Sequence, residues 1–133
     1  MKKAVLTFMI ALGALCAATP ARAAKVTPSS VCLQTYQNHV LNMSDQIDNP
    51  VALEVARAQC RKTKTLLAAD CVVIVYEANR SYVTQPDLEP VVTSCNRIKS
   101  RVAIDRFRID YVPRNGSLPD IDATVTSALK FNI

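Results

Sequence analysis

Leu66-Leu67-Ala68-Ala69-Asp70-Cys71-Val72-Val73-Ile74-Val75-Tyr76-Glu77-Ala78-Asn79-Arg80 decides how this chain folds. Its middle, Cys71 to Tyr76, is strongly apolar. The β-branched residues there suit a buried strand. The flanks, Leu66 to Ala69 and Glu77 to Arg80, suit a helix, and a short apolar run does not settle the matter by itself. The flanks tip the reading to helix. Such a helix is apolar around most of its circumference, so it belongs at the centre of the fold. Ala69-Asp70 marks either a kink or a fresh start, with Asp70 able to cap.

Upstream, Pro28 and Ser29 or Ser30 open a first helix that runs from Ser30 to about Gln46. Val31, Cys32, Tyr36, His39, Val40, Met43 and Ile47 recur along it at three- and four-residue steps. Asp48-Asn49-Pro50 stops it. A second helix follows from Val51, with Ala52, Val55, Ala56 and Cys60 on one side. Arg57, Arg61, Lys62 and Lys64 fall mainly on the other, either as a solvated surface or as a face for anions or lipid headgroups.

Downstream, Thr84 to Asp87 is a turn. The next helix starts near Asp87 and carries Val91, Val92, Cys95, Ile98 and Val102 inward. From Asp105 to Val112, Phe107, Ile109 and Tyr111 alternate with charges, a period of two that predicts a half-buried strand. Asn115-Gly116 is a strong turn signal. From Ile121 to Ile133 the apolar residues again alternate. The expected fold is therefore α+β: three or four helices in disulfide-clamped hairpins, then a C-terminal β-hairpin. The alternative is all-α, with a last helix capped by Asp120 or Asp122 and Val125, Ala128 and Leu129 on one face.

Residues 1–23 read as a secretory signal. Lys2 and Lys3 precede an apolar core from Val5 to Leu15 that is too short to span a bilayer. Ala21-Arg22-Ala23 is a small-x-small cleavage site of bacterial type, so residues 24–133 form one domain. A lipoprotein acylated at Cys16 is disfavoured by Leu15, which stands where a small residue belongs. Lys2, Lys3 and Arg22 leave with the signal, so the formal charge of +5 drops to about +2. That balance carries no nucleic-acid signature.

Cys32, Cys60, Cys71 and Cys95 remain, an even number in an oxidising compartment, which points to disulfides. Cys60 and Cys71 lie about 16 Å apart on a continuous helix, too far to bond. In antiparallel hairpins, bonded cysteines stand about equally far from the turn. Cys32 with Cys60 and Cys71 with Cys95 meet that condition around the two turns.

The chain lacks the residues for most chemistry. A zinc site needs several His or Cys ligands, and His39 is the single histidine. His39 sits on an apolar helical stripe, as a packing residue does. The carboxylates fall at turns and helix starts, where capping explains them. Neither catalysis nor a metal or other cofactor is expected. The remaining candidate is a basic face made by Arg97, Lys99, Arg101, Arg106 and Arg108, suited to an acidic partner or an envelope anion. The chain therefore reads as a small periplasmic or secreted protein that binds another envelope protein, as an accessory of a secretion or assembly complex. The alternative is a periplasmic small-ligand-binding or stress protein.

Overall fold

The computed structural model describes residues 25–43 and 49–133. The signal segment, the upstream rival at Cys16, and Ile47 at the end of the first expected helix lie outside those residues. Among the described residues six α-helices run in the order α1 Pro28–Tyr36, α2 Pro50–Cys60, α3 Leu66–Ala78, α4 Leu88–Cys95, α5 Arg101–Asp110 and α6 Ile121–Ala128. A π-helical turn, Gln37–Leu41, extends α1, and a 3-10 turn, Leu129–Phe131, extends α6.

Local chemistry sets most of the starts. Thr27, not Ser29 or Ser30, caps α1, in a reciprocal box with Ser30. Asn49 Oδ1 accepts from the Val51 and Ala52 amides at 3.0 and 3.2 Å. Thr65 Oγ1 accepts from the Ala68 amide at 3.0 Å and starts α3. The break before the central helix thus falls at Arg61–Thr65 rather than at Asp70. Asp70 lies inside α3 and reaches Arg101 at 3.5 Å.

α3 is the centre. Ala68, Ala69, Cys71, Val72, Val75 and Tyr76 are all buried. They pack against α1, α4 and α5, while α2 lies on α1 and α4, and α6 closes α4 and α5. Disulfides join Cys32 to Cys60 and Cys71 to Cys95, each with Cα atoms 5.5 Å apart. Each clamps one helical hairpin, as the equal distances from the two turns require.

The expected C-terminal β-hairpin is absent, and the fold is all-α among the described residues. Phe107, Ile109 and Tyr111 alternate in sequence, yet Ile109 is 64% exposed. The buried positions are Ala103, Ile104, Phe107 and Tyr111, the spacing of one helical face. Ser100 Oγ caps that helix by accepting from the Ala103 amide at 3.1 Å. In the last segment Thr124, Val125 and Ala128 are buried, and Asp120 Oδ2 accepts from the Ala123 amide at 2.9 Å. The Asn-Gly turn does form. Asn115 and Gly116 have φ of 53° and 81°, and Arg114 pairs with Ser117. It joins two helices instead of two strands.

Buried polar groups close the end of α3. Asn79 Nδ2 donates to Val75 O at 2.7 Å and to the Tyr111 hydroxyl at 3.0 Å. The Tyr76 hydroxyl donates to Pro86 O at 2.9 Å. Burial raises the Tyr76 and Tyr111 pKa values above the ordinary 10.0.

Two outcomes follow from this core. Phe107→Ala is expected to cost about 3–5 kcal/mol in urea unfolding of the oxidised protein. Ile109→Ala is expected to stay within about 0.5 kcal/mol. Equal losses would restore the strand reading, in which both side chains share a face. The tyrosines give the second outcome. Their folded pKa values are raised, so their contribution is intact below pH 10.0 and is lost as pH climbs beyond it. In an alkaline titration, phenolate absorbance from the buried rings should appear together with loss of helical circular dichroism. Ionisation of every tyrosine with the helix signal intact would contradict the burial described above.

Candidate anion-binding groove

The two basic groups in the sequence do not stay where sequence order puts them. From the Arg97–Arg108 set, three side chains are occupied locally. Arg101 reaches Asp70, Arg106 pairs with Asp110 at 2.8 Å, and Arg108 pairs with Asp105 at 3.3 Å. The Arg106 guanidinium also lies 5.4 Å from the Phe131 ring centre. Arg57, from the other set, pairs with Glu54.

The remaining residues come together. Arg61, Lys62 and Lys64 follow α2, and Arg97 and Lys99 follow α4. With Val92, Thr93 and Asn96 they line an open groove of about 650 Å³. No carboxylate lines it. Among the described residues, Arg61, Lys62, Lys64 and Lys99 form no ion pair.

Asparagine side chains set this juxtaposition. Asn96 Nδ2 donates to Lys62 O at 2.8 Å, and Asn96 Oδ1 accepts from the Lys64 amide at 3.0 Å. One amide therefore ties the turn after α2 to the end of α4. Asn132, just after the 3-10 turn, holds the segment that follows α4. Its Oδ1 accepts from the Lys99 amide at 2.9 Å, and its Nδ2 donates to Arg97 O at 3.1 Å. Arg97 is aimed by α6, donating to Asp122 Oδ1 at 2.8 Å and to Thr126 Oγ1 at 3.2 Å.

Part of the positive charge has a purely structural explanation. α2 and α4 both end at the groove, and a helix C-terminus carries roughly half a negative charge. Two ends offset about one cation, and Asp122 offsets Arg97. About three positive charges are left over, all on exposed side chains.

No family model, curated protein or solved structure matches the chain. The chemistry of the site is thus read from its residues alone.

Other depressions offer less. His39 lies beside Arg80, Tyr82 and Gln85, and among the described residues that line this depression there is no carboxylate. A smaller groove of about 420 Å³ runs between the π-turn, α2 and the start of α4. Val40, Ala52 and Leu88 form part of its apolar wall, and Asp87 and Glu89 stand at its rim. Those carboxylates sit at the N-terminal end of α4, where the helix dipole accounts for them. Tyr36 also lines it, and burial first, then the charge of Asp87, raises its pKa. Among the described residues no group of three or more His, Cys, Asp or Glu is placed to hold a metal ion.

Sequence periodicity treated Arg61–Lys64 as one helix face and Arg97–Lys99 as part of another. The signal that joins them is Asn96, a residue that reads simply as polar in a linear scan. Asn96→Ala removes two hydrogen bonds and is expected to cost about 1–2 kcal/mol in chemical denaturation. Hydrogen exchange at the Lys64 amide should accelerate selectively. Unchanged protection there would mean that the turn holds its place without Asn96.

Proposed function

We propose that this is an extracytoplasmic, periplasmic or secreted, binding protein for a small anionic ligand, held in the groove between the ends of α2 and α4. One observation carries the reading: five cations from chain segments about thirty residues apart converge on a groove that has no carboxylate in its lining. The compartment rests on other grounds. Two disulfides persist only where thiols are oxidised. The N-terminal segment has the pattern of a secretory signal. Among the described residues no helix is long and apolar enough to cross a membrane.

The accessory-factor reading, contact with another envelope protein, has one specific observation behind it. Val51 and Val55 stand 70% and 57% exposed, one turn apart on α2. Two valines fall far short of the several hundred Å² of contiguous apolar surface that marks a docking face. The groove therefore carries the conclusion.

Titration with inorganic phosphate, followed by amide NMR of the oxidised protein, tests it. Shifts should concentrate at Arg61–Thr65 and Asn96–Ser100 and weaken with added salt. Lys62→Glu with Lys64→Glu should abolish them. Arg108→Glu, at a residue already paired with Asp105, should leave them in place. Shifts spread evenly over all basic side chains would sink the proposal.

A further inference from the structure

We infer that the groove takes a ligand with two anionic groups, of the diphosphate class, engaging one group on each bank; this rests on the anion-binding reading above. Each bank is one chain segment: Arg61, Lys62 and Lys64 follow α2, and Arg97 and Lys99 follow α4. The other lining residues offer little to an anion. Asn96 uses its Oδ1 on the Lys64 amide and one Nδ2 hydrogen on Lys62 O, which leaves a single N–H. The Thr93 hydroxyl donates to Glu89 O at 2.9 Å. Val92 is apolar and only 2% exposed.

A single anion in mid-groove would therefore find at most one uncharged side-chain donor, the second N–H of Asn96. Seated on one bank, it would meet only flexible, well-hydrated side chains, a weak arrangement. Two linked anionic groups avoid both defects, because binding the first bank presents the second group to the other at high effective concentration. The geometry favours such bridging. Asn96 ties the backbones of the two banks together, so only the side chains are left to order on binding. Arg97 is also held ready: one of its terminal nitrogens, Nη1, is tied to Asp122 and Thr126, and the rest of its donor fork remains. The volume, about 650 Å³, lies within the range of small-molecule sites and exceeds what one phosphate group fills.

Free diphosphates and diphosphate-bearing or bis-phosphate lipid headgroups share this chemistry. Calorimetric titration of the oxidised full-length domain with orthophosphate and with pyrophosphate tests the inference. A second arm uses vesicles containing phosphatidylglycerol, with one phosphate, or cardiolipin, with two. Pyrophosphate is expected to bind at least about tenfold more tightly than orthophosphate. Lys64→Gln and Lys99→Gln, one on each bank and both fully solvated, should each remove most of that ratio. Arg108→Gln, outside the groove, should keep it.

A preference for cardiolipin over phosphatidylglycerol assigns the bis-anion to a lipid surface. A preference seen only in solution assigns it to a free ligand, and either outcome supports the inference. Equal binding of the one- and two-phosphate probes in both arms overturns it while leaving the anion-binding reading intact. So does a ratio that falls as far in Arg108→Gln as in Lys64→Gln. Absence of binding by any probe overturns both.

Discussion

The Cys71–Cys95 bond is the constraint on which the rest of the structure depends. Cys71 lies in the middle of the most apolar helix, and Cys95 ends α4. The bond therefore fixes where α4 stops relative to the core. Asn96 is the next residue, and Arg97 and Lys99 follow it. The position of half the groove is set by a covalent link to the centre of the protein. Cys60 plays the corresponding part for the other half. It ends α2, is bonded to Cys32 in α1, and is followed directly by Arg61 and Lys62.

This arrangement suits a small chain. A single core of this size is marginal by itself. Loops of 28 and 24 residues closed by disulfides contribute about 3.5 kcal/mol each on the chain-entropy account. The surface ion pairs add little by comparison, since most involve side chains a third or more exposed. Stability therefore comes from the buried face of α3 and the two clamps. The surface charges are left free to serve another purpose.

Much of this was legible in the sequence, for identifiable reasons. The central helix follows from its flanks. The two clamps follow from the spacing of four cysteines around two turns. The turn at Asn115-Gly116 follows from its backbone demand for positive φ. The C-terminal half misled because Ile109 and Ile133, both well exposed, complete a false alternation. Remove them, and Ala103, Ile104, Phe107 and Tyr111 read as a helix. Small buried residues such as Ala103 and Thr124 carry no weight in a hydrophobic pattern, yet they mark the packed face. The groove was illegible for a different reason. Its two halves are far apart in sequence, and the Asn96 amide that joins them leaves no periodic trace.

Helix-end electrostatics explains why some cations sit where they do, and its magnitude shows what it leaves unexplained. Two helix C-termini stabilise roughly one unit of positive charge between them. Arg97 with its Asp122 partner is accounted for separately. Arg61, Lys62, Lys64 and Lys99 still line one groove with no carboxylate in its lining, and like charges gathered there repel one another. A sequence shaped by stability alone would intersperse acids there, as it does along α5 with Asp105 and Asp110. On α5 the acids Asp105 and Asp110 pair with Arg108 and Arg106, whereas the groove keeps its excess charge in a concave place held by the hydrogen bonds of Asn96.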